Sequence, residues 1–391
     1  MTYDLTVIIP VYNTEKYLRR CLESIVNQDD IEKCSLKVIC INDGSTDGSQ
    51  KIIEEFVEKY PYIEIFNKEN GGLADVRNTG LQFIHDSLYT VSLDSDDFWD
   101  RSFLTEFNKY KSSNYDLIFF DINLVDYEGN LVKELIVNPK FDKYDKKKDF
   151  MVVKHAAWSK ICRTDLYDNI TFPKGKLYED LAVMPYLTSR AEKIHYIQKP
   201  LINYVINTPG SIMNSSKSNI FDIYDSLTHL FNLFGNHFEE YKHELQYLAI
   251  EHLCVGHTYR LLNYPEATKQ DFKDIVIFME KYFGKHWDKN KYVKRGVQKV
   301  NINSSLSYVV PFFLKFLKYG EGVNLYAVKR VLSFKKSEET SCIFEAIKSV
   351  CIITQLPFTF LMTGQTPKPP YFKNFKNTGT TYDSDELIFT F

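Results

Sequence analysis

LDSDD, Leu93 to Asp97, is the stretch on which the reading of this chain turns. It follows YTVS, residues 89–92, a short apolar and β-branched run of the kind that forms a buried strand. Three carboxylates in four positions therefore stand where a strand ends, and strand ends are where open α/β sheets bind ligands. Carboxylates this close repel one another and call for neutralisation, protonation or a cation. A hard divalent ion shared with substrate phosphates meets that need, because Mg²⁺ takes only one or two protein carboxylates. An isolated DSDD would equally suit a solvated acidic turn with an Asp capping a helix.

Upstream, the chain alternates strands and helices. LTVIIPVYN, residues 5–13, is the near-continuous apolar run of a parallel strand covered on both faces. Thr14 is placed to cap a helix in which Tyr17, Leu18, Cys21, Leu22 and Ile25 recur at helical spacing. LKVICIND, 36–43, is a second buried strand ending on a carboxylate, and GSTDGS supplies a turn in which Ser45 and Asp47 are caps or ligands. A helix marked by Ile53, Phe56 and Tyr60, the strand IEIFN at 63–67, and a Gly71-Gly72 break before a helix carrying Val76 and Gly80 complete the pattern. The fold class is α/β with a mostly parallel sheet. Neither GxGxxG after the first strand nor GxxxxGK[ST] occurs, which counts against a fingerprinted dinucleotide fold and a P-loop NTPase.

Downstream, residues 115–125 read as a strand, YEGN at 127–130 as a hairpin turn, and 141–150 as an exposed loop of mixed charge. Residues 194–206 read as a strand pair. From about Ile220 the pattern turns helical, so a catalytic domain over 1–215 and a mainly α-helical domain over 216–391 are expected. The tail beyond Gly364 is polar and irregular in pattern.

Residues 1–206 carry a net charge of −7 and residues 207–391 one of +4. Without a concentrated basic face, nucleic acid is not an expected partner. Aromatic residues reach 15%, enough for a packed core and for aromatic surfaces toward a ligand or membrane. Seven Cys, an odd number without CxxC spacing, imply buried thiols in a reducing compartment rather than a disulfide framework or zinc site. The first residues read as a strand rather than a signal peptide, and no run approaches the roughly 20 apolar residues of a membrane span. The expected location is cytoplasmic, with the inner face of the cell membrane as an option.

VIIPVYN, INDGSTDGS, NGGLADVRNTGL, LDSDD, the WSK of AWSKICR and YED occur in the order and spacing of family 2 glycosyltransferases, which the chain resembles over about residues 5–213. The resemblance implies a GT-A fold, a nucleotide-sugar donor, a divalent metal (Mn²⁺ or Mg²⁺) and inversion at the anomeric carbon. It places Asp43 near uracil, with Pro10, Val11 and Tyr12 as the adjacent wall. Gly71 and Gly72 let the backbone approach the donor, and Arg77 offers a fixed cation to phosphate or to an Asp. Asp94 and Ser95 fall on the donor side, Asp96 on the metal, and Asp97 either orients the pair or caps the next helix. Of the acidic pair Glu179-Asp180, Asp180 is the expected general base and Glu179 the second choice. The YED stretch also fits a helix start. Trp158 and Lys160 line the acceptor side, a core position being the alternative for Trp158.

In YVINTPGSIM, 204–213, Tyr204 and Gly210-Ser211 fit the family pattern, but the basic residue often found between them is missing. No His is an evident third metal ligand. Residues 285–295, 309–320 and 349–362 mix basic, aromatic and uncharged apolar runs, as either core or a membrane-surface contact suited to a lipid-linked acceptor. The expected activity is transfer of a sugar from a UDP-sugar to a glycan hydroxyl. A nucleotide-sugar-binding protein without turnover and a sugar-phosphate nucleotidyltransferase are the alternatives, the latter lacking its Gly-rich basic triphosphate loop.

Overall fold

Residues 3–135, 146–151, 153–206 and 218–294, with position 317, are described by a computed structural model. Of the sequence expectations, those for residues 136–145, 207–217, 295–316, 318–320 and 349–362 and for the tail beyond Gly364 lie outside this range.

The apolar runs become strands β1 (Tyr3–Val11), β2 (Leu36–Asp43), β3 (Ile63–Lys68) and β4 (Ser87–Ser92). They pair in parallel in the order β3-β2-β1-β4. β5 (Phe98–Trp99), β6 (Leu117–Val125), β7 (Leu131–Leu135), β8 (Lys160–Arg163) and β9 (Ile194–Val205) extend the sheet to nine strands. β8 lies antiparallel between β4 and β6, so β6 regains the direction of β4, and β9 runs parallel to β6. The C-terminal ends of β1, β2, β3, β4, β6 and β9 therefore share one edge of the sheet, the edge that carries LDSDD.

Residues 194–206, expected as a strand pair, form the single strand β9. Its register on β6 jumps from Phe120↔Ile197 to Asp121↔Pro200. It jumps again to Ile122↔Ile202, so Gln198, Lys199 and Leu201 are the extra residues, and Pro200, which has no N–H to give, sits within the irregularity. Within 141–150, the end of the expected loop is instead a short helix, Lys146–Phe150.

Helices α1 (Glu15–Val26), α2 (Ser49–Lys59) and α3 (Leu73–Gly80) connect the first strands. Leu18, Cys21, Leu22 and Ile25 of α1 are fully buried against β1 and β2 in the larger apolar cluster. On a second cluster sits α6, Glu179–Arg190, the helix that begins with the acidic pair; here α4 is Phe103–Asn108 and α5 Lys146–Phe150. α7, Ile223–Phe234, packs on α6, with Phe234 edge-on to Tyr186 at 5.2 Å. The first compact unit consequently ends at Phe238, one helix later than the change of pattern near Ile220.

The described part of the second unit is helical: Lys242–Ala249, a π-helical stretch Ile250–His257, Thr258–Asn263 and Lys269–Phe283. Among the described residues, no helix is long and apolar enough to cross a membrane. Cys21, Cys34, Cys40, Cys162 and Cys254 are buried free thiols, as their apolar settings led one to expect.

Candidate active site

Two turns leave the ends of β1 and β2 and are tied together by side chains. Asn13 Oδ1 accepts from Thr46 N–H at 2.8 Å, and Ser45 Oγ accepts from Asn13 N–H at 3.1 Å. Asp47 takes the N–H groups of Glu15 (3.0 Å) and Ser49 (3.0 Å), so it caps the first turns of both α1 and α2. Thr14 occupies the N-cap position of α1, yet its hydroxyl donates to Ser95 Oγ at 3.0 Å and joins this turn to LDSDD. Pro10 and Val11 are buried. Of the expected wall, Tyr12 alone presents its side chain, at 51% exposure.

Asp43 is buried at the end of β2. Its carboxylate accepts Gly71 N–H at 2.9 Å, Gly72 N–H at 2.8 Å and the Lys68 ammonium at 2.6 Å. A carboxylate has about four lone-pair sites, so Asp43 spends most of them shaping the glycine turn that leads into α3. Gly72 adopts φ +81°, a left-handed conformation that favours glycine. Lys68 also pairs with Asp75 (2.9 Å), and Asp75 with Lys174 (2.6 Å), a ladder of alternating charge leading out of the pocket. Lys68 was not picked out in the sequence. Its signal is positional, since it is the β3 residue in register with Asp43.

Arg77 is the buried hub of the site. Nη1 donates to Ser92 Oγ at 2.6 Å, Nε to Glu179 Oε1 at 3.2 Å, and Nη2 reaches Asp94 Oδ1 at 3.5 Å. One guanidinium thus links the end of β4 to the start of α6, and the two acidic motifs meet although 85 residues separate Asp94 from Glu179. Burial raises the Glu179 carboxyl; Arg77 pulls it down and the neighbouring Asp180 pushes it up. Burial raises Asp94 as well, with Arg77 opposing. Asp180 is half-buried in the first turn of α6, and its Oδ1 accepts Leu181 N–H at 2.7 Å.

Within LDSDD the three carboxylates have separate settings. Asp94 faces Arg77. Asp97 is buried, and its Oδ1 accepts Val205 N–H at 2.8 Å, so it anchors β9 rather than a helix. Its Oδ2 is buried without a hydrogen-bond partner, and burial together with Asp96 and Asp94 raises its carboxyl well above the usual range. Asp96, between them, is partly exposed. Among the described residues, no group of three or more His, Cys, Asp or Glu converges to hold a metal. The donor set fits a hard cation that draws most of its ligands from phosphate and water. Tyr17 and Tyr127 meet edge-on at 5.4 Å beside this acidic turn, and Arg20 donates to Tyr127 O at 3.0 Å. That hairpin contact between α1 and the β6–β7 turn has no signal in the local sequence.

Lys160 departs from expectation. It is fully buried, not on an acceptor-facing surface. Alternation along β8 puts it on the same face as Cys162, inside the cluster beneath α6. Its ammonium donates to Ala156 O at 2.9 Å and lies 5.5 Å from the centre of the Phe119 ring. Burial lowers its pKa to about 8, a shift that the Asp180 charge opposes. A base whose folded pKa lies below its unfolded value destabilises the fold at low pH, and the penalty fades as pH rises from about 8 toward 10.5. Lys160→Met is therefore expected to raise the melting temperature at pH 7 and to raise it less at pH 10. Calorimetry at both values checks this; a lower melting temperature at both would mean that the fold needs the cation. Trp158 is partly buried and stacked on Tyr204 at 5.0 Å and 20°, so one of its faces is taken by protein.

Residues 6–166 match the family Glycosyl transferase family 2. Glycosyltransferase GlyA of Streptococcus pneumoniae is 32% identical over 219 residues, 52% of this chain and 30% of that protein. The minor teichoic acid biosynthesis protein GgaB of Bacillus subtilis is 29% identical over 263 residues, 64% of this chain and 29% of that one. The chain thus spans about three tenths of the length of either relative. Among solved structures, S. aureus TarS 1-349 in complex with UDP-GlcNAc superposes with a TM-score of 0.63 at 19% identity, covering 87% of this chain and 93% of the other. That likeness is one of fold, and the fold is GT-A.

Proposed function

We propose that this chain, whose residues 6–166 match glycosyl transferase family 2, moves a sugar from a UDP-sugar to a hydroxyl of a cell-surface glycan, with inversion and with a divalent cation. The observation that carries this reading is the Arg77 bridge, which holds the donor-side acid Asp94 and the YED acid Glu179 in one site. Two supports are external. GgaB is named for teichoic acid biosynthesis, and the TarS structure was solved with UDP-GlcNAc.

In this reading Tyr12 and the Asp43–Gly72 turn receive the nucleoside, and Asp94 and Ser95 border the donor sugar. Asp96 would hold Mn²⁺ or Mg²⁺, and Asp97 anchors β9 next to it in the chain. When bound, the cation neutralises charge that builds on the departing nucleoside diphosphate. Asp180 takes the proton of the attacking hydroxyl, while Glu179, committed to Arg77, fixes the start of α6. Trp158 borders the acceptor with whichever face Tyr204 leaves open. Transfer to a lipid-linked acceptor, at the inner face of the membrane, belongs to the same proposal.

The test is binding of UDP by calorimetry with Mn²⁺ and again with EDTA. Wild-type protein is expected to bind UDP about tenfold or more tightly with the ion, and Asp96→Ala to lose that difference while keeping its melting temperature. Equal UDP affinity in the variant, indifferent to EDTA, would remove the cation from the reading.

A further inference from the structure

We propose that Asp222 is a positioning residue for the Glu179-Asp180 pair, acting from a segment beyond all the motifs on which the functional reading rests. The inference deepens that reading and depends on it for the identity of the pair.

The turn that delivers the pair is an uncomfortable one. Tyr178, the residue before α6, has φ 62° and ψ 35°, a left-handed conformation that is unfavourable for a non-glycine L-residue. Such a conformation persists only where the surroundings over-determine it. Here they do. Leu177, the residue just before, has both backbone groups engaged by the segment that opens α7. Its N–H donates to Asp222 Oδ2 at 3.2 Å, and its carbonyl accepts the fully buried Ser226 hydroxyl at 2.8 Å. Lys176, one residue earlier, pairs with Asp222 at 3.2 Å and Asp225 at 2.6 Å.

The consequence is directional. The peptide that leads into Tyr178 cannot rotate without breaking the Ser226 bond to the Leu177 carbonyl, and the peptide before it cannot rotate without breaking the Asp222 bond to the Leu177 N–H. Tyr178 O in turn accepts Ala182 N–H at 3.1 Å, the first bond of α6. The heading of α6, and with it the place of the Asp180 carboxylate, is therefore set by α7. Asp222 does this while lying apart from Asp43, Asp94 and Asp96, which belong to the donor side.

Asp222→Ala removes both acceptor bonds. It is expected to lower the turnover for sugar transfer about tenfold while leaving UDP affinity in the presence of Mn²⁺ within about twofold. Asp222→Asn keeps an acceptor for the Leu177 N–H and should restore most of the loss, whereas Asp225→Ala, which removes an ion pair with Lys176 and no bond to Leu177, should stay near wild type. Hydrogen exchange gives a readout independent of activity: amides of 177–182 should exchange faster in Asp222→Ala than in wild type, with β1–β4 unchanged. Wild-type turnover and exchange in Asp222→Ala would overturn the proposal. So would parallel losses of UDP affinity, turnover and melting temperature, the mark of a general structural role. If Asp222→Ala does not fold, Ser226→Ala, which frees the Leu177 carbonyl, carries the same expectations. If the wild-type chain transfers no sugar while exchange responds as stated, the functional reading fails and the clamp stands.

Discussion

Asp180→Asn is expected to lower turnover by about 10²-fold or more while leaving donor affinity within a few-fold, the signature of a lost general base. The substitution is close to isosteric. Its amide oxygen can still accept the Leu181 N–H that Asp180 Oδ1 takes at 2.7 Å, so the helix start should survive. What goes is the ability to take a proton from the acceptor. Glu179 is the competing base, yet it is buried and bound to Arg77, a setting that suits a brace better than a proton acceptor. A steady-state comparison of Asp180→Asn with Glu179→Gln, each checked for an unchanged melting temperature, decides between them. Near-normal transfer by Asp180→Asn with a dead Glu179→Gln would reverse the assignment.

Arg77→Met should cost stability more than any other single change in the site. The guanidinium is buried and serves Ser92, Asp94 and Glu179 at once. Removing one partner of a buried ion pair typically costs about 3–5 kcal/mol, because a charge is left without compensation. The loss should depend on pH. Burial already raises the Glu179 carboxyl above its unfolded value, and without Arg77 it rises further. A carboxyl with a raised folded pKa favours the fold below its unfolded pKa, and that contribution is lost as pH climbs through the folded one. The deficit should therefore be larger at pH 8 than at pH 5, as measured by urea unfolding. A deficit under about 1 kcal/mol, or one equal at both values, would show that Arg77 is not the hub its contacts describe.

The four parallel strands and the carboxylates at their ends were legible, because a strand buried on both faces writes itself as an apolar run. β8 was not: four residues, KICR, are too few for alternation to register, and its place between β4 and β6 is a matter of topology. Lys160 was misplaced for the same reason. Without the strand, nothing in WSK says that its lysine points inward. Asp43 was found as a strand-end acid, but the Lys68 and glycine N–H groups that occupy most of its lone pairs come from β3 and the turn after it, a partnership visible only once register is known. Residues 194–206 read as a strand pair, whereas β9 is one strand with three extra residues around Pro200. Asp47 accepts N–H groups at the starts of α1 and α2, as its reading as a cap holds, whereas Ser45 ties the two turns through Asn13 and caps no helix.

The spacing of the contacts that close the site also bears on how the chain is made. Asp97 meets Val205 across 108 positions, and Arg77 meets Glu179 across 102. Strands β1 to β4, with their short crossings, can pair while a ribosome is still extending the protein. The carboxylate end of the sheet cannot, because its brace arrives with β9 and its aiming turn with α7. Contacts of such long range are slow to form, and domains of this size pass through incomplete states in which apolar strand edges are open to other chains. For about seventy residues of synthesis, β4 lacks the β8 neighbour that will later cover its edge. A nascent chain stalled before residue 160 should accordingly be the form most dependent on chaperones.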